Sequence, residues 1–93
     1  MYYQVVFARQ ARKQLRKVPR HVLIKLMAWV DVVESEGLPE VRKVPGFHDE
    51  PLLGKRIGQR SIRLSKAYRA IYRCIDDGAI ELVLVEEVNK HAY

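Results

Sequence analysis

Cysteine is nearly absent from this chain. Cys74 is the one thiol in 93 residues, which excludes an internal disulfide framework and a Cys-rich zinc site. Long apolar runs are missing too. No stretch approaches the ~20 residues that a membrane helix needs. The opening Met1-Tyr2-Tyr3-Gln4 has no charged segment leading into an apolar one, so no secretory leader is expected. The three histidines, His21, His48 and His91, lack metal-ligand spacing. Gly54 and Gly58 are only an isolated pair, not a phosphate loop. These absences point to a cytoplasmic protein in a reducing compartment, with no membrane, no metal and no cofactor.

Negative charge is also scarce. Seventeen Lys and Arg stand against eleven Asp and Glu, for a net charge of +6. Residues 1–36 carry +4, residues 37–75 carry +6, and residues 76–93 carry −4. A basic body with a short acidic end implies an anionic partner, and nucleic acid is the usual one. Nearly half the residues are apolar, so the chain can bury a core. Its length suits one domain, residues 1–93, because two separate cores would each be too small.

The patterning turns from strand to helix and back. Tyr2 to Phe7 is aromatic and β-branched and reads as a first strand. From Ala8 the period changes: Ala8, Ala11, Leu15 and Val18 fall on one helix face, opposite Arg9, Arg12, Lys13, Arg16 and Lys17. Pro19 ends that helix and suits the first turn of the next. The second helix is expected from about Arg20 to Glu36, burying Leu23, Leu26, Val30 and Val33, with Val22, Met27 and Trp29 widening the stripe. Gly37 fits a C-cap, and Pro39 prevents continuation. The two helices should form an antiparallel hairpin. Residues 38–58 contain Pro39, Pro45 and Pro51 and read as a loop region. Three strands are expected next, at residues 59–65, 67–75 and 79–88. Asp76-Asp77-Gly78 supplies a turn, and the last strand is apolar enough to be buried on both faces. The fold class is α+β, in the order β-α-α-β-β-β, with one mainly antiparallel sheet and the hairpin packed on one face. The other face stays free for the strand arginines.

Arginines on adjacent strands of an open sheet face suit phosphate, since each guanidinium donates two parallel hydrogen bonds. Cleaving RNA at its 2′-OH needs a base for the 2′ proton, a cation for the phosphorane, and an acid for the leaving 5′-oxygen. Glu50, Arg69 and His91 are residues of the right types, with Arg63, Lys55, Arg56, Arg60, Arg73, Lys90 and Tyr93 nearby in sequence. On spacing alone, a solvated loop acid, an ordinary polar sheet face and a frayed terminus account for the same residues.

Four segments resemble a known family: Glu50-Pro51-Leu52, Gly58-Gln59-Arg60-Ser61-Ile62-Arg63-Leu64, Tyr68-Arg69-Ala70-Ile71-Tyr72, and Val88-Asn89-Lys90-His91-Ala92-Tyr93. In their order and spacing the chain resembles toxins of the RelE/ParE superfamily, the toxic halves of bacterial type II toxin–antitoxin pairs. It is most similar to the RelE/YoeB mRNA interferases at Glu50-Pro51-Leu52 and at the Arg69–Tyr72 strand. That resemblance implies a ribosome-dependent, metal-independent endoribonuclease that cuts messenger RNA in the ribosomal A site and inhibits translation. By it, Glu50 takes the general-base position, Arg69 the phosphate-binding position and His91 the general-acid position. Arg63, with Arg60, Arg73 and Lys90, would contact RNA, and Tyr93 would stack on a base. Ala92 separates His91 from Tyr93, where the YoeB-type toxins have the two adjacent. Lys13, Arg16 and Lys17 on the first helix would hold ribosomal RNA through its phosphates. The implied protein partner is a cognate antitoxin. The ParE branch shares the fold but poisons DNA gyrase and lacks the nuclease set. A gyrase poison and a plain RNA-binding module are the alternative readings.

Overall fold

A computed structural model describes residues 2–76 and 80–90. Strand β1, Tyr2–Phe7, leads into helix α1, Arg9–Leu15, then helix α2, Arg20–Glu36, and a single turn α3, Leu38–Val41. Strands β2, Glu50–Pro51, β3, Arg60–Arg63, β4, Tyr68–Asp76, and β5, Ile80–Lys90, complete the chain. The sheet order is β1-β5-β4-β3-β2. Every pairing is antiparallel except β1 with β5, which is parallel because the helical hairpin returns the chain to the same end of the sheet. This is the expected α+β architecture with the hairpin on one face.

The core lies between helices and sheet. Val22, Leu26, Trp29, Val30 and Val33 of α2 meet Val5 of β1, Ile62 of β3, Ala70 and Tyr72 of β4, and Val83, Val85 and Val88 of β5. Both sheet edges near β1 are satisfied by side chains. Glu34 of α2 accepts the Val5 N–H at 2.9 Å. Gln14 of α1 accepts the Val88 N–H at 2.6 Å, just past the end of β1. Among the described residues, no helix is long and apolar enough to cross a membrane.

Four local expectations change. Helix α1 stops at Leu15 rather than Val18, tightening into i→i+3 bonds at Arg16 and Lys17. Proline at 19 disfavours helical geometry at the residue before it. The buried stripe of α2 runs through Val22, Leu26, Trp29, Val30 and Val33, leaving Leu23 and Met27 exposed. Apolar residues occupy so much of that helix's circumference that their period cannot fix its rotation. Residues 38–58 hold structure: α3, two short 3₁₀ turns and the edge strand β2, so the sheet has five strands. Strand β5 is interior, but Leu82 and Leu84 are only half-buried on the face away from the helices. Residues 77 and 78 of the expected turn lie outside the described residues.

Candidate active site

Alternation along the strands sorts the basic residues. Ile62, Ala70 and Tyr72 point to the helices, so Arg63, Arg69 and Arg73 point to the open face. Glu50 is opposite Ser61, Ser61 opposite Ile71, and Ile71 opposite Glu87. One step along, Arg63 is opposite Arg69, which is opposite Asn89. Glu50 and Arg69 therefore share the open face, roughly 12 Å apart at Cα by ideal strand spacing. Like charges directly opposite one another destabilise a sheet, yet Arg63 and Arg69 are so placed. The Arg69 Nε is buried and has no hydrogen-bond partner among the described residues. An orphaned buried donor on a cation is costly, and it calls for an anionic acceptor.

The neighbouring charges are compensated within the chain. A β-bulge on β5 sets Glu86 beside the strand ladder. Arg73 donates to Glu86 at 2.7 Å and Gln59 donates to the same oxygen at 2.9 Å. Burial alone would raise the Glu86 pKa, but these two donors outweigh it and hold the carboxyl below its ordinary value. Arg56 reaches across to Glu87, bonding at 2.9 and 3.4 Å. Arg56 and Arg73 are thus tied to acids, whereas Arg63 and Arg69 pair with no acid among the described residues.

Asp49 is the residue that sequence reasoning passed over. Its side chain is fully buried, accepting from Arg60 Nε at 2.6 Å and from the Tyr72 hydroxyl at 2.5 Å. The Tyr72 ring stacks obliquely on Trp29 of α2, with centroids 5.1 Å apart. Burial first, then donation to Asp49, pushes the Tyr72 pKa well above its ordinary value, against the opposing effect of Arg42. A core tryptophan thus holds a tyrosine, the tyrosine holds Asp49, and Asp49 fixes the segment that carries Glu50. The sequence signal was three successive titratable residues, His48-Asp49-Glu50, in a loop otherwise rich in proline and glycine.

Placement divides the sequence candidates. Glu50, Arg63, Arg69 and Arg73 lie on the open face. Arg60 does not share it, because it pairs with Asp49 on the Tyr72 side. Lys90 is opposite Tyr68 and belongs to the other face, at the end of β5. Lys13 and Arg16, with Arg9 and Arg12, line a hollow of about 440 Å³ on α1, with Lys17 exposed just beyond. His91 and Tyr93 lie outside the described residues, as does Ala92. Beside Tyr72, at the β4 edge beyond β3, a cleft of about 480 Å³ is lined by Arg42, Leu53, Ile57, Arg60 and Cys74. Burial and then Glu81 push the Cys74 thiol upward, away from the reactive thiolate. Among the described residues, no group of three or more His, Cys, Asp or Glu side chains stands ready to hold a metal ion.

No protein-family model matches the chain, and no curated protein matches its sequence. Solved structures do match along almost its whole length. A YoeB/ParE toxin from Agrobacterium tumefaciens covers 96% of this chain and 99% of its own, at 17% identity and a TM-score of 0.71. The fold is that of the RelE/ParE-like toxins. The RelBE2 toxin–antitoxin complex from Mycobacterium tuberculosis gives 24% identity, covering 98% and 100%, at a TM-score of 0.67. The archaeal RelE–RelB complex from Pyrococcus horikoshii gives 21%, covering 97% and 96%, at 0.65. In this chain the helices cover one sheet face, and the other carries Glu50, Arg63 and Arg69.

Proposed function

We propose that this protein is the toxin of a toxin–antitoxin pair, a cytoplasmic, metal-independent endoribonuclease that cuts messenger RNA in the ribosomal A site. The observation that supports this most is the open-face set: Glu50, Arg63 and Arg69 together, with the Arg69 Nε buried and unpartnered among the described residues. A phosphate oxygen would supply the missing acceptor, and charge developing on the phosphorane would strengthen that bond in the transition state. Glu50 stands at the general-base end. His91 is assigned the acid by resemblance; β5 ends at Lys90, one residue past Asn89, which is opposite Arg69. Tyr93 is assigned to base stacking on the same ground, and Lys13, Arg16 and Lys17 to ribosomal RNA. The ribosome would supply substrate alignment, and orientation of that kind is worth about 7–11 kcal/mol. A cognate antitoxin is the proposed protein partner, in keeping with the neighbours solved as toxin–antitoxin complexes.

The test is induced expression without an antitoxin, followed by primer extension on cellular messages. Translation arrest with new message ends is expected for the wild type. Arg69→Ala, folded by circular dichroism, should lose about 10²–10³-fold in cleavage, the usual effect of removing one such donor. Growth arrest accompanied by a DNA-damage response and intact messages would replace this reading with gyrase poisoning. Arrest undiminished in a folded Arg69→Ala would remove Arg69 from the site.

A further inference from the structure

Residues 48–50 alternate. Asp49 turns inward to Arg60 and Tyr72, and its neighbours on either side are exposed. There His48 Nε2 lies 3.6 Å from Glu50 Oε2. His48 is also the one non-glycine residue with positive φ among the described residues, at φ 48° and ψ 50°. A left-handed backbone costs a non-glycine residue about 1 kcal/mol or more, and such strain collects at functional sites. Here the strain sets an imidazole against the carboxylate that begins the open-face row.

We infer that His48 is a catalytic residue, the proton acceptor of the proposed RNA cleavage, with Glu50 orienting its imidazole and stabilising the imidazolium. This rests on the nuclease reading and deepens it. A lone carboxylate is a weak base near neutral pH, whereas an imidazole titrates near the working range, where general-base catalysis is most effective. Glu50 Oε2, 3.6 Å from Nε2, is a charge contact rather than a hydrogen bond; with the ring proton on that side, Nδ1 carries the free lone pair. The 2′-OH proton passes to Nδ1 as the 2′-oxygen bonds to phosphorus. The bond from phosphorus to the 5′-oxygen breaks, and an acid at the far end of the row protonates that oxygen. The products are a 2′,3′-cyclic phosphate and a 5′-hydroxyl, and the imidazolium returns its proton to water. Lys25 of α2 holds the segment just before His48, donating to the Gly46 carbonyl at 2.9 Å. Asp49 faces away, Arg60 of the adjacent β3 is bound to Asp49, and Arg63 stands two residues along β3 from the Ser61 that pairs with Glu50. Glu50 lies 3.6 Å from His48 and becomes its ion-pair partner only once the imidazolium forms.

The experiment is single-turnover cleavage of a short messenger RNA on purified ribosomes, from pH 5 to 9, by the full-length wild type, His48→Asn and Glu50→Gln. Asparagine tolerates the left-handed backbone but cannot take the proton. His48→Asn should slow cleavage by about 10²-fold or more and change the shape of the pH profile, because a different group then takes the proton. Glu50→Gln should slow it less and keep the wild-type shape of the profile. His48→Gly, freed of the backbone cost, should melt no lower than the wild type yet be equally slow, which separates chemistry from folding. If the wild type cleaves and His48→Asn keeps its rate and profile, the assignment fails and Glu50 alone is the base. No cleavage by the wild type would overturn both the assignment and the nuclease reading.

Discussion

Asp49 and Tyr72 show how much one buried contact can settle. With its side chain fully enclosed, Asp49 has no water to replace a lost partner. Removing it strands the Tyr72 hydroxyl and leaves Arg60 without its counter-charge, and breaking a buried pair in this way costs about 3–5 kcal/mol. Asp49→Ala should therefore lower the free energy of urea unfolding by about 3 kcal/mol. Tyr72 makes a second prediction, at high pH. Its pKa in the folded protein is raised above the ordinary tyrosine value, so its contribution to stability is complete below pH ~10. That contribution fades as pH climbs further, because the unfolded chain ionises first. The melting-temperature advantage of wild type over Tyr72→Phe should shrink from pH 9 to pH 11; a constant gap would mean that Tyr72 ionises alike in both states.

Elements meet at joints, and Gly37 is the tightest of them. It closes α2 through its N–H to Val33 at 2.9 Å and opens α3 at φ 89° and ψ 162°, a region essentially confined to glycine. A Cβ there would sit 2.8 Å from the Tyr3 ring of β1. Gly37→Ala should cost about 2 kcal/mol from strain, plus whatever the ring must give up, seen as a lower urea midpoint at unchanged slope. This joint was legible in the sequence, where a glycine followed the last turn and a proline came two residues later. So were four of the five strands, whose arginines were expected on the face that the helices leave free; the pairing of Arg63 with Arg69 came from the register. The rotation of α2 was not legible, because Val22 and Leu23 are equally apolar and only the sheet opposite decides between them. Nor was β2, two residues long, whose pairing with β3 depends on Asp49 finding Arg60 and Tyr72, 11 and 23 residues away. Long-range polar contacts leave no period to read.

At the scale of the whole molecule the charge is divided by surface as well as by sequence. Arg9, Arg12, Lys13 and Arg16 gather on α1, while Arg63 and Arg69 stand on the uncovered sheet face. If α1 holds ribosomal RNA, binding to ribosomes should weaken steeply with salt. Replacing Lys13 and Arg16 with glutamine should reduce the slope of log affinity against log salt by about 1–2, measured by sedimentation across a potassium series. An unchanged slope would move the RNA contact off α1. The sheet order also bears on how the protein is made. Strand β1, first in the chain, sits at the sheet edge with β5 as its neighbour, the last strand to be synthesised. Until β5 has emerged, the opening strand has nothing to pair with and the inner face of α2 lacks Val83, Val85 and Val88. A product broken off before residue 80 would lack the strand that joins β1 to the rest of the sheet. A protein proposed to attack ribosomes would then stay harmless to the one building it until β5 had emerged.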